Sequence, residues 1–130
     1  MRYIYGHGYI VEEGIEVTTG REAFEAKLLA MKYGVPGKVA GLYRSAGYQV
    51  DMVLAEDLDF VARRKGEGLG VKVFQESGQP PEELLDKLSA AAKERGLKPV
   101  LVLYGAGPRI SGELREKARE LGISVRRVRG

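Results

Sequence analysis

The stretch EDLDFVARRKGEGLGVKVFQES, Glu56 to Ser77, decides the reading. Two runs of β-branched and aromatic residues, LDFVARR and LGVKVF, flank a basic, glycine-rich turn. That pattern predicts two strands folding back on each other. Asp59 lies on the first strand and Lys72 on the second, while Gly70 stands two residues before the lysine.

Working outward, YQVDMVLA before this stretch is a further strand, and the chain bends near Glu56 before continuing extended through DLDFVARR. Upstream, Thr19-Gly20-Arg21-Glu22 has the form of a capping box that opens a helix. Phe24, Leu28 and Met31 recur at i, i+4 and i+7 and define that helix's apolar face. Gly34 to Gly37, GVPG, breaks the helix. A second helical piece follows with Val39, Leu42, Tyr43 and Ala46 on one face, ending at Gly47. At the N-terminus, RYIY and YIVEEGIEVT read as a β-hairpin around the GHG turn.

Downstream, Pro80-Pro81 suits the first turn of a helix, where a missing backbone N–H costs nothing. Leu84, Leu85, Leu88 and Ala91 form its buried stripe, and Gly96 ends it. KPVLVLY is almost wholly apolar, as expected of a strand covered on both faces. Ser111 caps a last helix whose face is Leu114, Ala118 and Leu121. ISVRRV closes the chain as a strand. The order β-β-α-α-β-β-β-α-β-α-β implies an α/β protein with a mixed sheet and helices on both faces. At 130 residues, with no repeat, low-complexity tract or linker, the expectation is a single domain over residues 1–130.

Composition narrows the chemistry. Hydrophobic residues make up 44%, which fits a buried core. There is no cysteine, so disulfides and thiolate metal sites are excluded. The one histidine, His7, excludes a multi-histidine zinc site within one chain; in YGHGY it reads as a turn or interface residue. No run is long and apolar enough for a membrane span or a secretion signal, so a cytoplasmic protein without a membrane partner is expected. Asparagine is absent and 30% of residues are charged, a balance that suggests a thermophile.

Net charge is +3 and unevenly spread. Residues 93–130 hold ten Lys and Arg against four Glu, and the preceding part holds eleven against fourteen acids. A basic third on an acidic remainder suits a phosphate-backbone partner. Arg63, Arg64 and Lys65 at the turn, and Arg126 and Arg127 on the last strand, are the candidate contacts. A solvated ion-pair face is the plain alternative.

The order of elements, with LDFVARR followed closely by VKVF, resembles the restriction-endonuclease-like superfamily, the PD-(D/E)XK nucleases, and within it the Mrr-like branch. The resemblance covers about Arg21 to Val128. It implies a restriction-endonuclease-like core, with Asp59 as metal-binding aspartate, Lys72 as the lysine beside the attacking water, and Glu25, or Glu22, as the helix acid. It also implies Mg2+ or Mn2+, held by Asp59 and Glu25, and cleavage of a phosphodiester. The expected substrate is DNA more than RNA, cut in a structure-directed way as by junction resolvases. The expected assembly is a homodimer or a subunit of a hetero-oligomer. Gly70 departs from the pattern, because the family carries an acid or amide there.

Such chemistry needs a divalent cation to polarise the phosphoryl oxygen and lower the pKa of bound water, and a lysine to stabilise developing charge. None of Glu76, Glu67, Asp57 or Asp51 restores the missing acid by spacing. Two readings therefore stand: catalysis through a rearranged set of carboxylates, or a degenerate nuclease fold that serves as a nucleic-acid-binding or structural subunit of a larger assembly. The plain alternatives are that Asp59 pairs with Arg63 or Arg64, that Lys72 reaches water from a strand end, and that Glu25 is a surface residue. The loop GAGPRISG is only a loose match to a phosphate cradle, since Pro108 removes a donor.

Overall fold

The computed structural model describes residues 20–130 in full and the backbone of Tyr9–Ile10 and Glu16–Val17. These two short strands, β1 (Tyr9–Ile10) and β2 (Glu16–Val17), pair antiparallel. Both belong to the stretch expected to form one arm of the N-terminal hairpin; the other arm, the GHG turn and the Thr19 cap lie outside the described residues. Helix α1 (Gly20–Ser45) comes next, then β3 (Gln49–Met52), β4 (Phe60–Arg64) and β5 (Glu67–Phe74). Helix α2 (Glu82–Glu94), β6 (Lys98–Tyr104), α3 (Gly112–Glu120) and β7 (Ser124–Val128) complete the chain.

The second sheet has five strands in the order β3-β4-β5-β6-β7. Its first three strands are antiparallel neighbours and its last three are parallel. The reason lies in the connections. Lys65-Gly66 is a two-residue turn with φ of 49° and 81°, both left-handed, which matches the twist of an antiparallel hairpin. Strands β5, β6 and β7 are instead joined through α2 and α3, the crossovers that parallel pairing requires. The mixed α/β architecture expected from the order of elements is what forms.

Alternation along the strands feeds two apolar layers. Phe60, Ala62, Val71 and Val102 point to one face, where Val39, Ala40 and Tyr43 of α1 cover them. Leu58, Val61, Leu101 and Leu103 point to the other, beneath Leu85, Leu88 and Ala92 of α2 and Ala118 of α3. The buried stripe of α2 takes Ala92 in place of the expected Ala91, and Leu84 packs at its margin. Ser111 caps α3 as expected, its hydroxyl accepting from the Leu114 N–H at 3.1 Å. Along β6, five of seven residues are buried, in keeping with the apolar run KPVLVLY.

Helix α1 is two pieces folded back at Gly34, whose φ of 67° and ψ of −141° suit only glycine. A methyl added at Gly37 would strike the Leu29 carbonyl, and one at Gly41 would lie 2.9 Å from the Ala26 carbonyl. Gly37 and Gly41 thus let the first piece lie directly on the second. The break at GVPG is where the sequence places it, but the apolar face of the first piece is not buried. Phe24, Leu28 and Met31 are 61%, 47% and 79% exposed. The first piece packs instead through Ala26 and Leu29, because the glycines opposite favour small side chains and backbone contact.

Candidate functional site

Asp59 immediately precedes β4, where the hairpin ladder ends, and is buried. Its own N–H donates to the Val71 carbonyl at 2.8 Å. Its carboxylate then reaches along β5: Oδ2 accepts the Val73 N–H at 2.7 Å, and Oδ1 lies 3.4 Å from Lys72 Nζ. The carboxylate therefore does what a further β4 carbonyl would do for Val73, and the lysine neutralises it. Asp59 thus pairs with Lys72, and neither Arg63 nor Arg64, the alternative partners, takes the lysine's place. A cavity of about 470 Å³ opens over this pair, with Glu56, Glu76 and Pro36 in its wall.

Gly70 lies two residues before Lys72 and so on the same side of β5, but the space beside it is filled. It pairs with Val61 across the hairpin. Its missing side chain would point at the floor under α2, with a Cβ 3.0 Å from Leu58 Cδ1, 3.3 Å from Ala92 Cβ and 3.5 Å from Leu97 Cδ1. An acid here would enter the apolar layer. Close packing by leucine and alanine explains the glycine without reference to chemistry.

Glu25 is placed elsewhere. It lines a separate cavity of about 500 Å³ with Asp51, Gln49 and Arg44. Arg44 Nε donates to its Oε1 at 2.6 Å and Arg21 Nε to its Oε2 at 3.2 Å. These two hydrogen bonds, Arg44's first, hold the Glu25 carboxyl below its ordinary range. Glu22, the alternative helix acid, also faces Arg44, at 3.7 Å. The helix acids thus join an arginine cluster, and Asp59 joins a lysine. Magnesium takes oxygen ligands in near-octahedral array with one or two carboxylates. Among the described residues no three acids or histidines converge as a metal site. Asp59, with one oxygen bound to backbone and the other facing an ammonium, does not fit the expected ion as arranged.

The opposite end of the strands has a different character. Arg63, Arg64 and Lys65 are exposed at the hairpin tip. Together with Glu67, Gly47 and Gly96 they line a cleft of about 710 Å³ between the C-terminal ends of α1 and α2. Lys98 begins β6 beside Leu69, and Arg95 ends α2 beside Gly96; both are exposed. Among the described residues, no ion pair engages Arg63, Lys65, Arg95, Lys98 or Arg126. Glu67, the acid in the cleft, accepts the Tyr48 hydroxyl at 3.0 Å. Burial, and then that hydrogen bond, push the Tyr48 hydroxyl above its ordinary range, while the charges of Arg64 and Arg126 oppose the shift.

Arg127 is more constrained than the other candidates. It donates to the Gly105 and Pro108 carbonyls, both at 2.6 Å, and so braces the GAGPRISG loop. Within that loop, the Gly105 N–H donates to Val128, the Arg109 N–H to Gly78 and the Ser111 N–H to Gln79. Those donors are turned to protein and not to a phosphate. Lys98 and Arg95 were not singled out from the sequence, although the basic C-terminal third contains both; only the register of β5 with β6 brings them to the hairpin tip. His7 lies outside the described residues. No helix among the described residues is long and apolar enough to cross a membrane. No family model matches the sequence, and no curated protein matches it.

Proposed function

We propose that this chain binds nucleic acid, DNA in the first instance, through its basic strand end, and that its nuclease-like hairpin serves as framework and not as a cutting site. The cleft at the hairpin tip carries this reading: three consecutive cations with one carboxylate, and that carboxylate turned to a tyrosine. Lysine and arginine free of ion pairs attract phosphate by displacing its counterions. The Asp59–Lys72 pair supports the second half of the reading, since its charges answer each other and the Val73 backbone. A chain of this kind serves as a homodimer or as the non-catalytic subunit of a larger assembly.

Equilibrium binding of labelled single-stranded, duplex and four-way-junction DNA to the whole chain tests the reading, with magnesium present and product analysis on the same samples. Five phosphate contacts imply a fall in affinity of about 10² to 10³-fold between 50 and 200 mM salt. Arg63→Gln with Lys65→Gln should weaken every substrate and flatten that salt dependence. Absence of binding at 50 mM salt would refute the proposal. Metal-dependent cutting abolished by Asp59→Ala would establish the other reading, in which Glu56 and Glu76, on the wall of the Asp59 cavity, complete a rearranged set of carboxylates.

A further inference from the structure

Arg64 differs from its neighbours in being held still. Its guanidinium carbon lies 4.3 Å from the centre of the Tyr48 ring. One of its terminal nitrogens donates to the Ala46 carbonyl at 2.8 Å. A planar cation stacked on a ring and tied at its edge has lost most of its freedom before any ligand arrives. The ring beneath it is fixed in turn. Tyr48 donates its hydroxyl to Glu67 and meets Tyr43 edge to face at 5.4 Å. Tyr43 meets Phe60 of the core at 5.6 Å. The result is a rigid column from core to surface, Phe60, Tyr43, Tyr48, Arg64, whose last member is exposed.

We infer that the basic end takes single-stranded nucleic acid, with the outer face of the Arg64 guanidinium as the plane on which one unpaired base stacks. This inference rests on the nucleic-acid reading above. Guanidinium planes and aromatic rings are the surfaces on which proteins stack splayed bases. A duplex keeps its bases stacked on each other and offers this plane nothing. Arg63 and Lys65 flank Arg64 in sequence and supply charge for the adjoining phosphates. The cleft beside them, about 710 Å³, has the size of a small-ligand site and not of a duplex groove.

Lys65 occupies the first position of the two-residue turn at φ 49°, where asparagine, aspartate or glycine is the relaxed choice, and this places its ammonium at the exposed tip beside Arg64.

The test uses fluorescence anisotropy on the whole chain with a short single-stranded DNA, the same sequence as RNA, the DNA duplex, and a DNA strand with abasic sites. At least one single strand should bind about tenfold or more tightly than the duplex. Arg64→Lys keeps the charge and loses the plane; it should weaken single-strand binding by about tenfold with the salt slope unchanged. The same change should not alter binding of the abasic strand. Arg119→Lys, on α3 and paired with Glu116 away from the cleft, should have little effect on either. Circular dichroism of each variant checks folding, and if Arg64→Lys is misfolded, the abasic strand against the intact strand on the unaltered protein decides the matter alone. Duplex binding equal to or tighter than single-strand binding would overturn the inference and leave the nucleic-acid reading standing. So would an abasic strand that binds as well as an intact one. Failure of every nucleic acid to bind would remove both.

Discussion

Restoring the missing acid should damage the fold before it creates a site. In Gly70→Glu, the new Cβ starts 3.0 Å from Leu58 Cδ1 and 3.3 Å from Ala92 Cβ, with Leu97 Cδ1 at 3.5 Å. All three neighbours belong to the packed layer under α2. Forcing extra atoms into such a layer costs about 1–3 kcal/mol. The carboxyl then lacks a donor among Leu58, Ala92 and Leu97, which adds roughly 1–3 kcal/mol by the measure of buried polar groups in proteins. The expected loss of about 2–6 kcal/mol is a large share of a stability of ordinary size, about 5–15 kcal/mol. Gly70→Ala needs only a small retreat of Leu58 and should cost about 1 kcal/mol. Urea unfolding followed by circular dichroism measures both, with a magnesium-dependent cleavage assay on the same material. A Gly70→Glu protein as stable as its parent would refute the packing argument. A folded one that gained cleavage, and lost it again with Asp59→Ala, would show position 70 opening onto a working site.

Other outcomes follow from the same geometry. Asp59→Ala leaves the Val73 N–H unpaired and should cost about 2–3 kcal/mol in urea unfolding, whereas Asp59→Asn keeps an acceptor for that N–H and should cost about 1 kcal/mol; equal costs would mean that the backbone bond is not what Asp59 supplies. Gly37→Ala drives a methyl into the Leu29 carbonyl and should separate the two pieces of α1, lowering the thermal midpoint more than Gly70→Ala does. Glu25 is held below its ordinary pKa by Arg44 and Arg21. Its ionised form therefore adds stability that is complete above the ordinary carboxylate range and is lost as pH falls through the lowered value. Glu25→Gln should flatten that acid limb in pH-dependent unfolding while leaving the neutral branch of the profile parallel. Lys65→Asn relieves a left-handed lysine, so it should raise stability by roughly 0.5–1 kcal/mol while weakening nucleic-acid binding; a change of both in the same direction would contradict the role given to the hairpin tip.

Much of the fold was legible because the signals are local. The bend near Glu56, the Lys65-Gly66 turn, the break at GVPG and the Ser111 cap each depend on a few neighbouring residues. The Asp59–Lys72 pairing was not legible: the sequence puts the two on neighbouring strands, but whether their side chains meet depends on the register set by the Lys65-Gly66 turn. What local pattern did not yield was packing across elements. Phe24, Leu28 and Met31 have helical spacing, but that says only that they share a face, and Gly37 and Gly41 draw the opposite face inward. Gly70 looked like a lost catalytic acid because the strand pattern is blind to Leu58 and Ala92, which arrive from before β4 and from α2. Glu25 looked like a partner for Asp59, but the fold-back at Gly34 carries it to Arg44.

The distribution of charge has two separable causes. Helices favour acids in the first turn and bases in the last, because of their backbone dipoles. Glu82 and Glu83 open α2 and Lys93 closes it; Glu113 opens α3 and Lys117 and Arg119 close it. Since both helices run antiparallel to the parallel strands they connect, this preference alone makes one end of the sheet acidic and the other basic. It does not reach Glu56 and Glu76 in the wall of the Asp59 cavity, which lie outside any helix. It does not account for Arg63, Lys65 and Lys98, which lie on strands and in a turn, where no dipole calls for them and, among the described residues, no ion pair engages them. Arg119 and Lys117 answer Glu116, Asp86 and Glu82. Other cations outside these ion pairs, such as Lys27, Lys32 and Lys38 on α1 and Arg109 and Arg115 near α3, are spread over the surface, whereas Arg63, Arg64, Lys65 and Lys98 gather at one end of the sheet, and it is this grouping, more than the total charge of the chain, on which the nucleic-acid proposal rests.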